Sequence, residues 1–333
     1  MKRLAVFLAA SVMASVCVAT AVTIEVTLVE AKVSKADGYA KLYDANQGHV
    51  GYVFGGEDFK ASKPYVKELV SPKGVNPLRD NVADHIHHHG LMFAVAIDGV
   101  DFWSETRKCG RQIQRDISEV WQLSPRFVLL PGIKTPLEWT KPDGTTVVAT
   151  EKRTIQMNDG VGATLMTWRT QLSPPDGKDS IKITGSHYFG LGMRFVQSMD
   201  NASTFAFADP NAKSEAVRGD EKLTPSEWAA CTGKVDGNTV TVAMFDHPAN
   251  SRPVLWFTMS RPFSYLSATI DLHRKALVVK AGEKLDVRYG AAVWDGEPGR
   301  DRIEAAYKEW LEPSGLDLPP IPAGKTGPGR FGP

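Results

Sequence analysis

Cysteine is scarce in this chain: the 333 residues contain three, at positions 17, 109 and 231. No two of them lie at the close spacing of a structural metal site, so the sequence does not favour a cysteine-bound metal. The first, Cys17, belongs to an amino-terminal segment that we predict is removed. The remaining pair, Cys109 and Cys231, has two open interpretations: one disulfide formed in an oxidising compartment, or two separate buried thiols.

An excess of charge of one sign is also missing. The 39 Lys and Arg residues nearly balance the 38 Asp and Glu residues, which leaves a formal net charge of +1. Nucleic-acid-binding domains carry a basic patch or stripe, and the interspersed charges here give no such signal. Past the amino terminus, no apolar run approaches the roughly 20 residues of a membrane span. We therefore expect neither a nucleic-acid partner nor a membrane span.

The amino terminus has the three parts of a secretory signal peptide. Lys2 and Arg3 precede an apolar stretch, residues 4–18, and small residues follow at 19–21. That order is typical of a leader that is cleaved on export. We therefore predict a signal peptide over residues 1–21 and a secreted or periplasmic protein.

The carboxyl terminus has a different composition from the rest of the chain. Residues 313–333 include 11 prolines and glycines. A segment of this kind cannot build a core and is predicted to be a flexible tail. A single domain over residues 22–312 is the simplest division of what remains.

Short strand-like runs fill most of this domain. Residues 22–33, VTIEVTLVEAKV, alternate apolar and polar side chains as a half-buried strand does. Similar runs recur along the chain, separated by turn sequences such as KPDG and KVDGN. This punctuation predicts an all-β, mainly antiparallel fold, a large β-sandwich. One helix is predicted at residues 299–312, with Asp301 as its cap. Its predicted apolar face consists of Ile303, Tyr307, Trp310 and Leu311.

Four of the eight histidines lie within five positions of the segment ADHIHHHGL, residues 83–91. If the segment is extended, His85, His87 and His89 share one face. In the same segment, Asp84 is placed to fix a ring tautomer. The next residue after the histidines, Gly90, permits a bend or a close backbone approach to a ligand.

Clustered imidazoles can bind a metal or carry protons near neutral pH. His85, His87 and His88 are therefore candidate ligands of one divalent metal, whose further ligand would come from elsewhere in the chain. The alternative is a structural corner, in which a hydrogen-bonded Asp–His pair braces a loop.

The segment DGVDFWSE, residues 98–105, follows at once. Trp103 offers an aromatic wall, while Asp101 and Glu105 offer hydrogen-bond acceptors. Sugar-binding pockets pair such walls with a few placed polar groups. The alternative is that Phe102 and Trp103 pack in the core, which is the commoner position of such residues.

Several segments resemble, in order, those of one known family. They are KPYVKELVSPKGVNPLRD, DHIHHHGLMFA, GVDFWSE, EWAACTGKVDGNTVTVAMFDHPAN and RPFSYLSA, and the likeness covers roughly residues 61–312. The chain is similar to the family catalogued as PmoA-like, which carries the label methane oxygenase. That label implies a metal-dependent oxygenase, but the membrane oxygenase subunit of that name is built of transmembrane helices, which this chain lacks beyond its leader. We therefore treat the label as a transferred name.

The resemblance can be followed position by position. It departs at Ile86, where the family has proline, and at His89, where it has arginine. The second departure removes a permanent cation, which argues against His89 as a ligand and against an anionic substrate there. The matching positions are Pro64, Tyr65, Arg79, Asp84, His85, His87, His88, Gly90, Leu91, Asp101, Phe102, Trp103, Glu105, Trp228, Asp246 and His247.

A shorter segment resembles a second family. GSHYFGLG, residues 185–192, is similar to the His-x-Tyr-Phe-Asn segment of aldose epimerases, with Gly190 in place of the asparagine. The resemblance implies a galactose mutarotase-like supersandwich that binds sugars in an open groove. It adds His187 as an imidazole that shares proton transfer. The alternative is that His187 caps a strand in the core.

Together these features predict an exported carbohydrate-active enzyme, of the hydrolase, lyase or epimerase type, that acts on a small-molecule or oligosaccharide substrate. The predicted catalytic residues are His85, His88, His187 and Glu105. The predicted substrate-binding residues are Arg79, Trp103, Asp101 and Tyr65. The main alternative is a secreted, non-catalytic carbohydrate-binding module, and a lesser one is the metal-dependent oxygenase of the family label.

Overall fold

The computed structural model describes residues 2–7, 23–80, 82–83, 85–160, 162–312 and 316–318. Strands dominate these residues, and they are accompanied by one 3-10 turn, Gln197–Met199, and one α-helix, α1 (Arg300–Leu311). In chain order, the strands are β1 (Lys2–Phe7), β2 (Thr23–Leu28), β3 (Ala31–Ser34), β4 (Tyr39–Tyr43), β5 (His49–Val53), β6 (Tyr65–Val70), β7 (Leu91–Ala94), β8 (Ala96–Ile97), β9 (Val100–Asp101), β10 (Arg111–Gln114), β11 (Ser118–Leu123), β12 (Val128–Thr140), β13 (Val147–Asn158), β14 (Thr164–Ser173), β15 (Ser180–Thr184), β16 (Gly190–Arg194), β17 (Thr204–Phe207), β18 (Glu215–Ala216), β19 (Lys222–Pro225), β20 (Trp228–Val235), β21 (Asn238–Asp246), β22 (Leu255–Met259), β23 (Tyr265–Thr269), β24 (Leu277–Lys280), β25 (Leu285–Asp295) and β26 (Leu316–Leu318).

The strands form two large sheets and one small sheet. The first has 12 strands along the path β1-β2-β12-β13-β14-β25-β21-β20-β17, with β10, β11 and β26 beside it. The second has ten strands in the order β18-β19-β22-β23-β16-β7-β6-β5-β4-β3, and the small sheet is β24-β15-β8-β9. Throughout the described part of the chain, only β2 and β12 pair in parallel. The prediction of a mainly antiparallel β-sandwich is confirmed.

One core lies between the two large sheets. Leu42 and Val50 of the ten-stranded sheet belong to the same buried cluster as Ile133 and Ile155 of the 12-stranded sheet. Successive residues of a strand face opposite sides of its sheet, so alternate positions enter this core. The sequence pattern of alternating apolar residues therefore gives the fold its hydrophobic interior.

Helix α1 packs on the other face of the 12-stranded sheet. Its side chains Ile303, Tyr307 and Trp310 are buried against a second cluster that includes Trp228 and Phe245. The predicted face is thus confirmed, except that Leu311 is only partly buried. The predicted cap was wrong: Gly299 is the N-cap residue, and Asp301 lies in the first turn without a capping hydrogen bond.

Both cysteines of the domain are free and buried. The disulfide between Cys109 and Cys231 is therefore not formed, and the alternative of two separate thiols is the correct one. Within the described ranges, no helix is long and apolar enough to cross a membrane.

Two terminal predictions fall partly on residues that the structure describes. Strand β1 lies inside the predicted signal peptide and pairs with β2, and the predicted cleavage point at Ala21 lies outside the described residues. Strand β26 lies inside the predicted tail and pairs with β11. The rest of that tail is also outside the described residues, so the leader and the flexible tail stay predictions.

A buried arginine connects the two large sheets. Arg153 of β13 is fully buried and donates two hydrogen bonds to Glu151, at 2.9 and 2.8 Å. The same guanidinium donates across the core to Tyr52 Oη at 3.3 Å and to the Pro64 carbonyl at 3.2 Å, and to Gln112 Oε1 at 2.8 Å. Burying a guanidinium is tolerated because its donors are met by acceptors from both sheets.

We expect Arg153→Met to lower the free energy of unfolding by about 3–5 kcal/mol, because it leaves the Glu151 carboxylate buried without its cation. The matched control is Arg169→Met, which removes an ion pair with Asp286 at 2.7 Å from the same sheet. Both members of that pair are partly exposed, so its loss is expected to cost less than about 1 kcal/mol. Urea unfolding at pH 7 measures both values, and equal losses would contradict a special role for the buried pair.

Candidate functional site

The histidine segment forms a tight turn. The His88 amide donates to the His85 carbonyl at 2.8 Å, and Val82 and His85 form an isolated bridge. The turn stacks the His85 ring on the His88 ring, with centroids 4.8 Å apart and planes at 18°. The His87 ring meets His88 edge to face at 4.5 Å. The expected alternation along an extended strand was therefore wrong, because the turn brings together residues three apart. Asp84, which was expected to fix a ring tautomer, lies outside the described residues.

Gly90 ends this turn in a conformation with φ of +25°. A Cβ atom at this position would lie 2.1 Å from the Val66 carbonyl oxygen of β6. Only glycine allows such an approach between the two backbones. The close approach predicted for Gly90 thus exists, but it is to a neighbouring strand and not to a ligand.

His89 points away from the other rings into a buried ionic cluster. Its Nδ1 lies 2.7 Å from Asp80 Oδ1, and its Nε2 lies 3.2 Å from Glu105 Oε2. Burial opposes protonation of the ring, but the hydrogen bond to Asp80 and the nearby Glu105 raise the pKa of His89 above its ordinary value. Sequence reasoning treated this position as the loss of a cation, whereas its surroundings favour an imidazolium.

Two of the predicted site residues belong to this cluster. Glu105 accepts from Lys63 Nζ at 3.0 Å and from the Ser62 amide at 2.8 Å. Although burial acts to raise it, the bond to His89 and the charge of Lys63 lower the pKa of Glu105 to about 2. The Tyr65 ring stacks on His89 at 4.6 Å, and its hydroxyl donates to Asp80 at 2.8 Å.

A pocket of about 110 Å³ opens on the other side of the histidine turn. The three histidines His85, His87 and His88 line it, together with Met259. Its aromatic lining consists of Trp103, Tyr188, Phe257, Phe263 and Tyr265. Glu221 and the exposed Arg218 complete the wall. The pocket therefore combines aromatic faces with a small number of polar groups, as ligand sites do.

Three buried polar atoms at this pocket have no hydrogen-bond partner among the residues that the structure describes: His88 Nδ1, Trp103 Nε1 and Tyr265 Oη. Their residues are 6, 1 and 2% exposed. Their rings lie close together, with the Tyr265 centroid 5.0 Å from that of His88 and 6.3 Å from that of Trp103. Because leaving such groups unpaired is costly, their concentration at one pocket indicates partners supplied by a ligand or by water.

His87 and His88, which line the pocket, are neutral at physiological pH. Burial, with the neighbouring His87 and His85 rings, lowers the pKa of His88 to about 2. Burial, reinforced by the charge of Lys63, lowers the pKa of His87 to about 4. A neutral imidazole has one donor and one acceptor nitrogen, so each ring can either donate a hydrogen bond to a hydroxyl or accept one from it.

The carboxylate of the pocket is Glu221, which sequence reasoning missed. It precedes β19 in the β18–β19 hairpin at the edge of the ten-stranded sheet. Its Oε2 lies 2.9 Å from His187 Nε2, and its Oε1 accepts from Arg218 at 2.7 Å. The Ser186 hydroxyl lies 3.3 Å from His187 Nδ1. With Ser186 donating, His187 presents its Nε2–H to Glu221 and orients the carboxylate.

Among the remaining predicted residues, Asp101 supports the wall of the pocket from outside. Asp101 Oδ1 accepts from the Trp103 amide at 2.7 Å and from the Ser104 amide at 3.2 Å, and so fixes the turn that carries Trp103. Arg79 lies 3.6 Å from Asp200. The structure thus brings His85, His87, His88 and Trp103 to the pocket wall. The pocket lining does not include Arg79, Asp101, Glu105, Tyr65 or His187.

The predicted metal site is not supported by this arrangement. The His85 and His88 rings are stacked face to face, so their nitrogens do not converge on one point. In the part of the chain that the structure describes, no group of three or more His, Cys, Asp or Glu side chains is arranged to hold a metal ion. Instead, His85, His87 and His88 together form one wall of the pocket.

Comparison with known proteins identifies one family. Residues 41–308 match the model of a family described as "Family of unknown function (DUF6807)". The matched region contains the histidine turn, the ionic cluster and the pocket. No curated protein matches the chain at a significant level. The match bears on neither the PmoA-like label nor the likeness to aldose epimerases.

We expect His89→Gln to lower the free energy of unfolding by about 3 kcal/mol, because it removes the cation between two buried carboxylates. His89→Arg restores a positive charge, so its free energy of unfolding is expected to fall by less than that of His89→Gln. The control is His49→Gln, since His49 Nε2 contacts Glu68 at 3.2 Å on a more exposed surface; a loss below about 1 kcal/mol is expected there. Chemical unfolding at pH 7 compares the three variants, and equal losses for His89→Gln and His49→Gln would argue against a buried cation.

We also expect the folded state to lose stability as the pH falls from about 6.5 to 4. In this window His87 and His88 take up protons in the unfolded chain, near pH 6.5, but not in the folded one, where their pKa values are about 4 and about 2. Because the unfolded state then binds more protons, its free energy drops relative to the folded state. In His88→Gln this dependence should weaken by up to about 1.4 kcal/mol per pH unit. Urea unfolding at pH 7, 5.5 and 4.5 measures the slope, and an unchanged slope would contradict a neutral His88.

Proposed function

The chain belongs to the DUF6807 family, whose function is unknown, and we propose that its pocket binds a single small sugar and transfers protons to and from it. The protein is then an exported carbohydrate-active enzyme of the epimerase or lyase type. The observation that carries this proposal is the group of three unpaired buried polar atoms, on His88, Trp103 and Tyr265, in one aromatic-walled pocket.

The shape and polarity of the pocket support a sugar as the ligand. A volume of about 110 Å³ is well below the range typical of drug-sized ligand sites and suits one small unit. Trp103 and Phe263 line the pocket and give it apolar surface for the C–H groups of such a unit. Neutral imidazoles and the Tyr265 hydroxyl offer hydrogen bonds to its oxygens.

The charged groups of the pocket support proton transfer rather than hydrolysis. Glycoside hydrolysis in most families needs two carboxyl groups that flank the scissile bond. Among the pocket-lining residues that the structure describes, Glu221 is the one carboxylate. Glu105, predicted as a second, is held behind the wall by Lys63 and His89. One carboxylate beside neutral imidazoles is equipment for general acid–base catalysis.

One observation favours a non-catalytic sugar-binding module instead. Both oxygens of Glu221 are already engaged, by His187 and by Arg218. A carboxylate that keeps both contacts when the sugar binds orients and holds a hydroxyl, whereas a catalyst must turn a remaining lone pair of Glu221 toward the substrate. The two functions differ in their response to Glu221→Gln, which keeps the shape of the side chain: a catalyst loses turnover, while a binding module keeps its affinity within a few fold. The oxygenase of the family label gains no support from the stacked histidines.

We expect Trp103→Phe to weaken the binding of the responsive monosaccharide by about five- to tenfold, because the indole N–H that pairs with the ligand is lost while an aromatic ring stays. The measurement is a titration of a monosaccharide panel followed by ligand-observed NMR. Trp294→Phe is the matched control, since Trp294 is also buried with an unpaired Nε1 but lies in the cluster under helix α1. If no monosaccharide binds, or if both variants weaken binding equally, the proposal fails.

A further inference from the structure

We propose that the sugar bound in this pocket carries a ketone or aldehyde group, whose oxygen is held by Trp103, Tyr265 and His88. Glu221 removes a proton from the carbon next to that carbonyl. The inference rests on the proposed function and deepens it, because it names a substrate class and a chemical step for the same pocket.

The first argument comes from the hydrogen-bonding character of the unpaired atoms. The indole of Trp103 can only donate, so the ligand must present an acceptor to Nε1. Burial raises the pKa of Tyr265 well above its ordinary value, so its hydroxyl keeps the proton that it can donate. His88 can donate from Nδ1 as a neutral ring. Three uncharged donors around one small volume are suited to an oxygen on which negative charge develops.

The second argument is the spacing of these three groups. The ring centroids of His88, Trp103 and Tyr265 are 5.0 to 6.3 Å apart, so the three side chains are direct neighbours in the lining of one pocket. The hydroxyl of Tyr265 fits because residue 192 on the adjacent strand β16 is glycine: a Cβ there would lie 2.3 Å from the Tyr265 oxygen. Strand pairing of β16 with β23 therefore fixes where this donor lies.

The third argument is that a neutral imidazole suits enolisation. A neutral ring stabilises an enolate by donating a hydrogen bond, without transferring its proton to the oxygen. Neutral histidine as the electrophile beside a glutamate base is an established solution for removing a proton next to a carbonyl. Here His88 and Glu221 line the same pocket, from the histidine turn and the β18–β19 hairpin respectively.

The step balances without an oxidant or a second substrate. A Glu221 oxygen forms a bond to the hydrogen, and the electron pair of the broken C–H bond becomes the carbon–carbon double bond. The carbonyl electron pair moves to the oxygen, where the three donors stabilise it. Return of the proton to the same carbon regenerates the carbonyl, with the same or the opposite configuration.

The test follows hydrogen exchange in D2O with L-erythrulose and dihydroxyacetone as probes, and with erythritol and glycerol as their carbonyl-free counterparts. We expect the protein to bind the ketoses at least about tenfold more tightly than the polyols. It should also accelerate deuterium incorporation next to the carbonyl, measured by proton NMR. Glu221→Gln should abolish the acceleration, whereas Glu215→Gln on the same hairpin, which breaks an exposed pair with Arg274, should not.

A second measurement reports on the donors directly. Binding of a ketose with a 13C-labelled carbonyl should shift its infrared stretch to lower frequency, and Tyr265→Phe should reverse part of that shift and slow exchange at least about tenfold. Gly192→Ala, which crowds the Tyr265 oxygen, should have the same effect, so the result does not depend on one variant folding.

The outcomes separate this inference from the proposed function. If monosaccharides bind but ketoses and polyols bind equally, or no carbonyl shift and no exchange are seen, the carbonyl inference is overturned while the sugar site stands. If neither the monosaccharide panel nor the ketoses bind, the proposed sugar site and the carbonyl inference are both wrong. Tighter ketose binding with Glu221-dependent exchange supports both.

Discussion

The fold depends on one guanidinium that has no access to water. Arg153 lies between the two large sheets, and its acceptors come from both, so the sheets can pack only in the register that satisfies it. Its partner Gln112 in turn donates to the Phe93 carbonyl of β7 at 2.8 Å. Because β7 begins directly after Gly90, this polar chain reaches the strand on which the histidine turn is mounted. The hydrogen bonds that the buried Arg153 needs therefore also help to fix the position of the histidine turn.

The site itself separates charge into two layers. Behind the histidine turn, His89 joins Asp80 and Glu105 in a buried ionic cluster, and Lys63 completes it. In front of the turn, the His87 and His88 rings that line the pocket are uncharged. The separation has a physical reason, since two protonated rings packed at 4.5 to 4.8 Å in a buried wall would repel each other. The cluster behind anchors the wall without bringing its charge into the pocket.

Much of this could be read from the sequence, and the limits have physical causes. Alternating apolar residues predicted the strands, because burial on one face of a sheet imposes a period of two. The same pattern did not reveal Arg153, because a charged residue at a position that faces the core interrupts the alternation of apolar and polar residues. The histidines were recognised as a group, but the alternation of an extended strand would have placed His85, His87 and His89 together. The tight turn instead pairs residues three apart, so His85 stacks on His88 and His89 points the other way. Glu221 could not be found, since no motif marks it and its role arises from the pairing of β19 with β22, which is a long-range contact. Tyr265 lay in the quoted segment RPFSYLSA, yet only the glycine opposite shows why its hydroxyl is accommodated.

The hairpin that carries Glu221 is the outermost part of its sheet, and among the described strands β18 pairs with β19 alone. Strand β23, which carries Tyr265 of the pocket, lies by contrast between β22 and β16. Edge hairpins tolerate replacement better than central strands do. A few substitutions at this margin can therefore replace the acidic group at position 221 while the aromatic and histidine walls of the cavity stay unchanged.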